Sequence, residues 1–227
     1  VTVPVVLVHG WGGSFEATWQ RSGFTELLRD AGREVIGIDL LGHGTAPKPH
    51  HPDDYADLGA RIIDALPDGP VDAVGFSLGA MTLLRLAVED PSRFRKLVLA
   101  GVGKNVLDPD DGSGAHIADA VEGRAAESDT PAQVFAHYAH QPGNDPVALA
   151  AVMRRPRAPL TAEQLSNATC PVLVVIGDKD FAGPGEPLAE ALPDATLKVL
   201  RNVDHFATPE AFSFIDATLE FLDAIPS

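Results

Sequence analysis

A chain of 227 residues with 45% hydrophobic and 22% charged content is long enough to bury one large core, and its composition excludes disordered and fibrous classes. Its formal net charge of −15 repels phosphate backbones and anionic lipid surfaces, so neither nucleic acid nor a membrane surface is an expected partner. No apolar run is long enough to cross a bilayer, and the single cysteine, Cys170, permits no intramolecular disulfide and fits a reducing compartment, so a cytoplasmic location is expected.

The first segment, "VTVPVVLVHG", lacks the basic region and small-residue cleavage site of a secretory leader. Its residues 3–8 form an apolar, β-branched run, as a strand buried on both faces would. Similar runs recur at 34–38, 71–75, 97–100, 172–176 and 196–200. Between most of them lie segments with helical spacing, at 15–30, 54–66, 77–89 and 186–192, and a further one at 208–222 follows the last strand. Strands alternating with helices predict an α/β fold with a mostly parallel sheet of about six strands, covered on both sides.

Residues 104–168 interrupt this alternation. They contain no convincing strand, only alanine-rich helical stretches at 115–127, 131–140, 146–155 and 161–167, punctuated by proline and glycine. A structureless loop of that length is unusual, so a small helical cap inserted after the fourth strand is expected. The expected organisation is a core of residues 1–103 and 169–227 with a cap at 104–168.

Ligands of open parallel sheets bind beyond the carboxyl ends of the strands, which here carry "HGWGG", "GFSLG", "GDKD" and "NVDHF". Ser77 stands in a G-x-S-x-G sequence between an apolar strand and a helix that runs through Leu83, Leu84 and Leu86, the setting of a nucleophile elbow. A serine hydroxyl needs a base to remove its proton, and histidine is the usual one. Of the eight histidines, His205 lies between the last strand and the last helix, where it can reach back over the sheet edge. His9, His43, His50, His51, His116, His137 and His140 lie elsewhere along the chain. An imidazole base needs a carboxylate to hold its tautomer, and both Asp178 and Asp180 are available in "GDKD". For the oxyanion of a tetrahedral intermediate, the backbone N–H groups of Leu78 and Trp11 stand at the expected donor positions.

The stretches "VVLVHGWGG", "IDLLGHGTAP", "VDAVGFSLGAM", "CPVLVVIGDKD" and "VDHFATPEAF" together resemble the α/β-hydrolase fold superfamily. Within it they are most similar to the compact bacterial branch of esterases, lactonases, cofactor-free haloperoxidase-like enzymes and menaquinone-pathway synthases. The resemblance implies a Ser77, Asp180, His205 triad, because the acid of that pattern lies three residues after the glycine that ends its strand, here Gly177. It also implies a sheet without the family's N-terminal edge hairpin, since the chain begins at the strand that usually comes third. Two departures stand out: Asp204 precedes His205 where a glycine is common, and Met81 stands where the synthases carry an arginine.

The expected activity is hydrolysis of a small carboxylic ester, thioester or lactone through an acyl-serine intermediate. Two alternatives share the residues: elimination or cofactor-free perhydrolysis by the same triad, and a ligand-binding protein with little turnover. Phe76, Met81, Phe135, Tyr138, Met153 and Leu160 are expected as apolar pocket lining, each with core packing as the competing role. Arg154, Arg155 and Arg157 form a basic cluster suited either to gripping a carboxylate or, as the preferred reading, to a solvated surface. His137 and His140 share a helical face without a third ligand nearby, and "HGWGGS" lacks dinucleotide-binding spacing, so neither metal nor organic cofactor is expected. The expected partner is a small acyl substrate; the oligomeric state is not legible.

Overall fold

The computed structural model describes residues 2–108, 112–126 and 128–225. Among the described residues six strands form one all-parallel sheet: β1 (Val5–Val8), β2 (Val35–Ile38), β3 (Val71–Phe76), β4 (Phe94–Ala100), β5 (Val172–Gly177) and β6 (Ala195–Leu200), in the spatial order β2-β1-β3-β4-β5-β6. The six expected runs coincide with these strands to within a few residues. The largest difference is at β4, which extends back to Phe94 through Arg95 and Lys96. Those charges hide the strand from a hydrophobic reading, yet they are satisfied, because Arg95 Nε donates to Asp72 Oδ1 at 2.8 Å and Lys96 Nζ to Asp223 Oδ2 at 2.6 Å.

Alternation along each strand sends side chains to two separate cores. Val5 and Leu7 of β1, Val74 of β3, and Leu173 and Val175 of β5 pack with Trp19, Phe24, Leu28, Phe214 and Leu219. The helices α1 (Phe24–Asp30) and α9 (Phe212–Phe221) therefore cover one face. Val6, Val8, Ala73 and Leu97 turn the other way, against Ile62 of α2 (Ala60–Ala65), Leu83 and Leu84 of α3 (Leu78–Glu89), and Leu188 of α8 (Glu186–Ala191).

Several expected helices are split. The 15–30 segment is a π-helical turn at Glu16–Gln20 followed by α1, because Gly23 takes a left-handed φ of 77° between them. The 54–66 segment is a turn at Pro52–Tyr55 and then α2, started afresh where Asp57 Oδ1 accepts the Ala60 N–H at 3.0 Å. The last segment is a turn at Thr208–Glu210 followed by α9, with Ala211 extended between them.

Between β4 and β5 lie α4 (Ser113–Val121), α5 (Thr130–Ala139), α6 (Pro146–Arg154) and α7 (Ala162–Leu165). The expected stretch at 115–127 corresponds to α4, while residue 127 itself lies outside the described residues. Prolines or side-chain caps start α5, α6 and α7: Asp145 Oδ1 accepts the N–H groups of Val147 and Ala148 at the head of α6, and Thr161 with Gln164 forms a capping box on α7.

This topology creates the site. The chain runs from β1 outward to β2 and then crosses back to β3 on the other side of β1, so the loops after β1 and β3 diverge to opposite faces and leave a crevice at their carboxyl ends.

Candidate active site

Ser77 is the residue between β3 and α3, and it holds φ 51° and ψ −112°, a conformation that L-residues rarely adopt. The two flanking glycines explain how the turn closes. A Cβ on Gly75 would lie 2.6 Å from the Ala80 backbone nitrogen, and one on Gly79 would lie 2.5 Å from the carbonyl oxygens of both Val8 and His9. The helix start therefore folds directly back on β3 and presses against the end of β1, leaving the Ser77 side chain raised over the crevice.

His205 is buried, with 5% exposure, in the loop after β6. Its Nε2 lies 3.0 Å from Ser77 Oγ, and its Nδ1 lies 2.9 and 3.0 Å from the two carboxylate oxygens of Asp180. A carboxylate only accepts, so Nδ1 carries the proton and the Nε2 lone pair faces the hydroxyl. The Asp180 side chain has no exposure, and its Oδ1 also accepts the Ala182 N–H at 2.8 Å. The loops carrying acid and imidazole are tied together where Lys179 N–H donates to Val203 O at 3.1 Å. Of the two candidate acids, Asp178 is exposed and Asp180 meets the ring. Asp204 is exposed as well, and its carboxylate caps the Ala207 N–H at 3.0 Å.

The imidazole stands among aromatic rings, with centroids of Phe181, Phe76 and Phe206 at 4.2, 4.9 and 5.5 Å. Phe181 and Phe206 directly follow Asp180 and His205, so their adjacency in the two strand-end loops was the available signal, although apolar loop residues do not announce a role. The Trp11 indole N–H donates to Leu149 O at 3.0 Å, anchoring the loop after β1 to α6. Neither the Trp11 nor the Leu78 backbone N–H donates to an acceptor among the described residues.

Two buried histidines, His9 at the start of the loop after β1 and His43, pack with ring centroids 5.0 Å apart. His9 Nδ1 donates to Gly10 O at 2.7 Å and its Nε2 accepts the Leu40 N–H at 3.1 Å, a pattern that requires the neutral ring. Burial holds its pKa below the usual imidazole value. Burial, with the neighbouring His9, lowers His43 to about 3, while its Nδ1 donates to Leu41 O at 3.0 Å. The buried Cys170 thiol is pushed up to about 11, mainly by desolvation, and does not compete with Ser77 as a nucleophile.

Ser77 and His205 open into a cavity of about 610 Å3. Phe76, Met81, Phe135, Tyr138, Met153 and Leu160 all lie on its wall. The arginine cluster divides: Arg154 pairs with Glu122 and Asp119 across to α4, whereas Arg155 and Arg157 line the cavity together with Arg85 of α3. The solvated-surface reading therefore does not describe the cluster as a whole. Arg85 escapes a sequence reading because an arginine in an amphipathic helix ordinarily faces solvent; its place eight residues after Ser77, on the same side of α3, was the signal. His140 Nδ1 donates to Ala136 O at 2.8 Å, and His137 meets Gln141 at 3.0 Å on the surface of α5. Among the described residues no group of three or more His, Cys, Asp and Glu side chains is arranged to hold a metal ion, and no helix is long and apolar enough to cross a membrane.

A parallel sheet with an elbow serine and a strand-end histidine and acid defines a class. The chain belongs to the alpha/beta hydrolase fold family, whose pattern matches residues 3–152. It is 40% identical over 104 residues to 2-hydroxy-6-oxo-2,4-heptadienoate hydrolase of Pseudomonas putida, a match covering 43% of this chain and 37% of that protein. It is 36% identical over 107 residues to poly(3-hydroxyalkanoate) depolymerase of Ectopseudomonas oleovorans, covering 46% of this chain and 36% of that protein. These matches span little more than a third of the curated relatives' length. Among solved structures, Est816, described as an N-acyl homoserine lactone degrading enzyme, superposes with a TM-score of 0.72 at 25% identity, covering 97% of this chain and 93% of its own.

Proposed function

We propose that the protein is a serine hydrolase that cleaves a small carboxylic ester, thioester or lactone. The observation that carries this reading is the continuous hydrogen-bonded line from Asp180 through His205 to Ser77, with distances of 2.9 and 3.0 Å. His205 takes the Ser77 proton as Oγ attacks the substrate carbonyl, and Asp180 stabilises the imidazolium that forms. The Trp11 and Leu78 N–H groups receive the negative oxygen of the tetrahedral intermediate. His205 then gives its proton to the leaving alcohol, thiol or ring oxygen, and an acyl-Ser77 ester remains. Water, deprotonated by the same imidazole, attacks that ester and releases the acid and free Ser77.

Residues 104–168 act in this reading as a cap, since Phe135, Tyr138, Met153 and Leu160 come from it and line the same cavity as Ser77. The names of similar proteins support this reading, as they include a 2-hydroxy-6-oxo-2,4-heptadienoate hydrolase, a poly(3-hydroxyalkanoate) depolymerase and an N-acyl homoserine lactone degrading enzyme. The direct test is labelling with a fluorophosphonate followed by peptide mass spectrometry. Modification at Ser77, lost in His205→Ala, supports the mechanism; a folded protein that stays unlabelled sinks it.

A further inference from the structure

Arg85 is a half-buried guanidinium on the cavity wall that makes no ion pair among the described residues, and its one protein hydrogen bond there runs to Ala158 O. A guanidinium presents five donors, so most of its capacity faces the cavity or water. Arg157 lies on the same wall, near enough for its charge to act on Arg85. Burial holds Arg85 below its usual pKa, with Glu89 opposing that shift and Arg157 adding to it. A half-buried cation beside a second one is costly, and more conspicuous in a chain with 17 basic against 32 acidic residues. The acids on the same wall do not pair with Arg85: Asp108 is held by Lys104 at 2.7 and 2.9 Å, Asp129 by His116, and the charge of Glu210 acts on Tyr138.

The position of this charge relative to the nucleophile is set by α3. Ser77, Met81 and Arg85 recur every four residues, on one side of the helix, and all three line the same cavity. Eight residues at 1.5 Å each separate the Ser77 and Arg85 backbones by about 12 Å. Helical side chains lean toward the N-terminus, which turns Arg85 back toward Ser77. Met81, between them, offers an apolar surface for a chain of methylenes.

We propose that Arg85, with Arg157 beside it, forms a subsite for a carboxylate carried on the acyl part of the substrate, so that the preferred substrate is a monoester of a linear dicarboxylic acid. A planar carboxylate matches the guanidinium fork in bidentate fashion, whereas a neutral acyl chain desolvates the Arg85 charge and gives it nothing in return. The proposal rests on the hydrolase reading for its turnover, and its test separates the two.

The test compares mono-p-nitrophenyl suberate with p-nitrophenyl octanoate, which has the same acyl length without the charge. In the parent protein kcat/KM favours the suberate ester. In Arg85→Gln, and in Arg157→Gln at an exposed position, the ratio of the two kcat/KM values falls about 10- to 100-fold, mainly through KM. No preference in the parent, or an equal loss on both esters, overturns the subsite. Binding of the intact suberate monoester to Ser77→Ala, measured by calorimetry, needs no turnover. Binding that weakens about 10-fold or more when Arg85→Gln is added supports the subsite even if the hydrolase reading fails, and equal binding in both proteins overturns it.

Discussion

Ser77 Oγ and His205 Nε2 are 3.0 Å apart although 128 positions separate them in the chain. Local sequence holds each residue in place, but nothing local brings the two together. Ser77 is placed by the β3–α3 elbow and His205 by the loop after β6, so their contact depends on the whole order of strands from β3 to β6.

The line continues to Asp180, whose carboxylate holds the imidazole proton on Nδ1. In Asp180→Asn the amide can donate to Nδ1, which places the proton on Nε2 and removes the base. We expect kcat to fall about 10^4-fold, with the far-UV spectrum unchanged. Asp178→Asn, at an exposed position, leaves the rate near that of the parent. Steady-state kinetics of the two variants check this, and the opposite ranking reassigns the acid.

Gly79→Ala is expected to lower stability, although alanine is favoured over glycine inside a helix by about 1 kcal/mol. The new Cβ would meet the Val8 and His9 carbonyl oxygens at 2.5 Å, and these belong to β1 and its loop rather than to a movable side chain. Overpacking costs roughly 1–3 kcal/mol even where neighbours can shift. Thermal unfolding should show a lower Tm, with activity falling as the elbow is displaced.

At the opposite end of β3 from Ser77, Asp72 is fully buried and bridges Arg33 and Arg95. Arg33 is itself buried, and also donates to Val3 O and Leu222 O. Asp72→Ala leaves a buried guanidinium without its carboxylate and should cost roughly 3–5 kcal/mol. Urea denaturation measures the loss, and the variant that remains folded should keep its catalytic rate because the site lies at the other end of the strand.

Stability should fall with acidification below about pH 6.5, the imidazole pKa of the unfolded chain. His43 is lowered to about 3 by burial and by His9, and His9 is lowered by burial. Between these values the unfolded chain binds protons that the folded chain excludes. For His43 the stabilisation is therefore complete above about pH 6.5 and is lost as the pH falls toward about 3, with a slope approaching about 1.4 kcal/mol per pH unit, and His9 acts in the same direction. His43→Asn should reduce the slope by about that amount in urea unfolding from about pH 7 to about pH 4; equal slopes would contradict the neutral buried ring.

The parallel sheet is legible in sequence because its strands are buried on both faces and read as continuous apolar runs. Its helices are less so, since periodicity runs through the breaks at Gly23 and Ala211, where local backbone geometry decides. Ser77 is marked by its glycines, and His205 and Asp180 by following strands. The sequence could not distinguish Asp178 from Asp180 without the family pattern, because two carboxylates in one short loop differ only in where the loop aims them. The cavity wall is the least legible part: Arg85, Arg155 and Arg157 meet there from α3 and from the segment after α6 only through tertiary packing.

The most direct measurement is hydrolysis of a p-nitrophenyl ester series from acetyl to long acyl, with Ser77→Ala beside the parent protein. The account predicts turnover with a clear optimum in acyl length, abolished in a Ser77→Ala variant that remains folded. Activity retained in that variant, or no turnover of any ester by the folded parent, would contradict it.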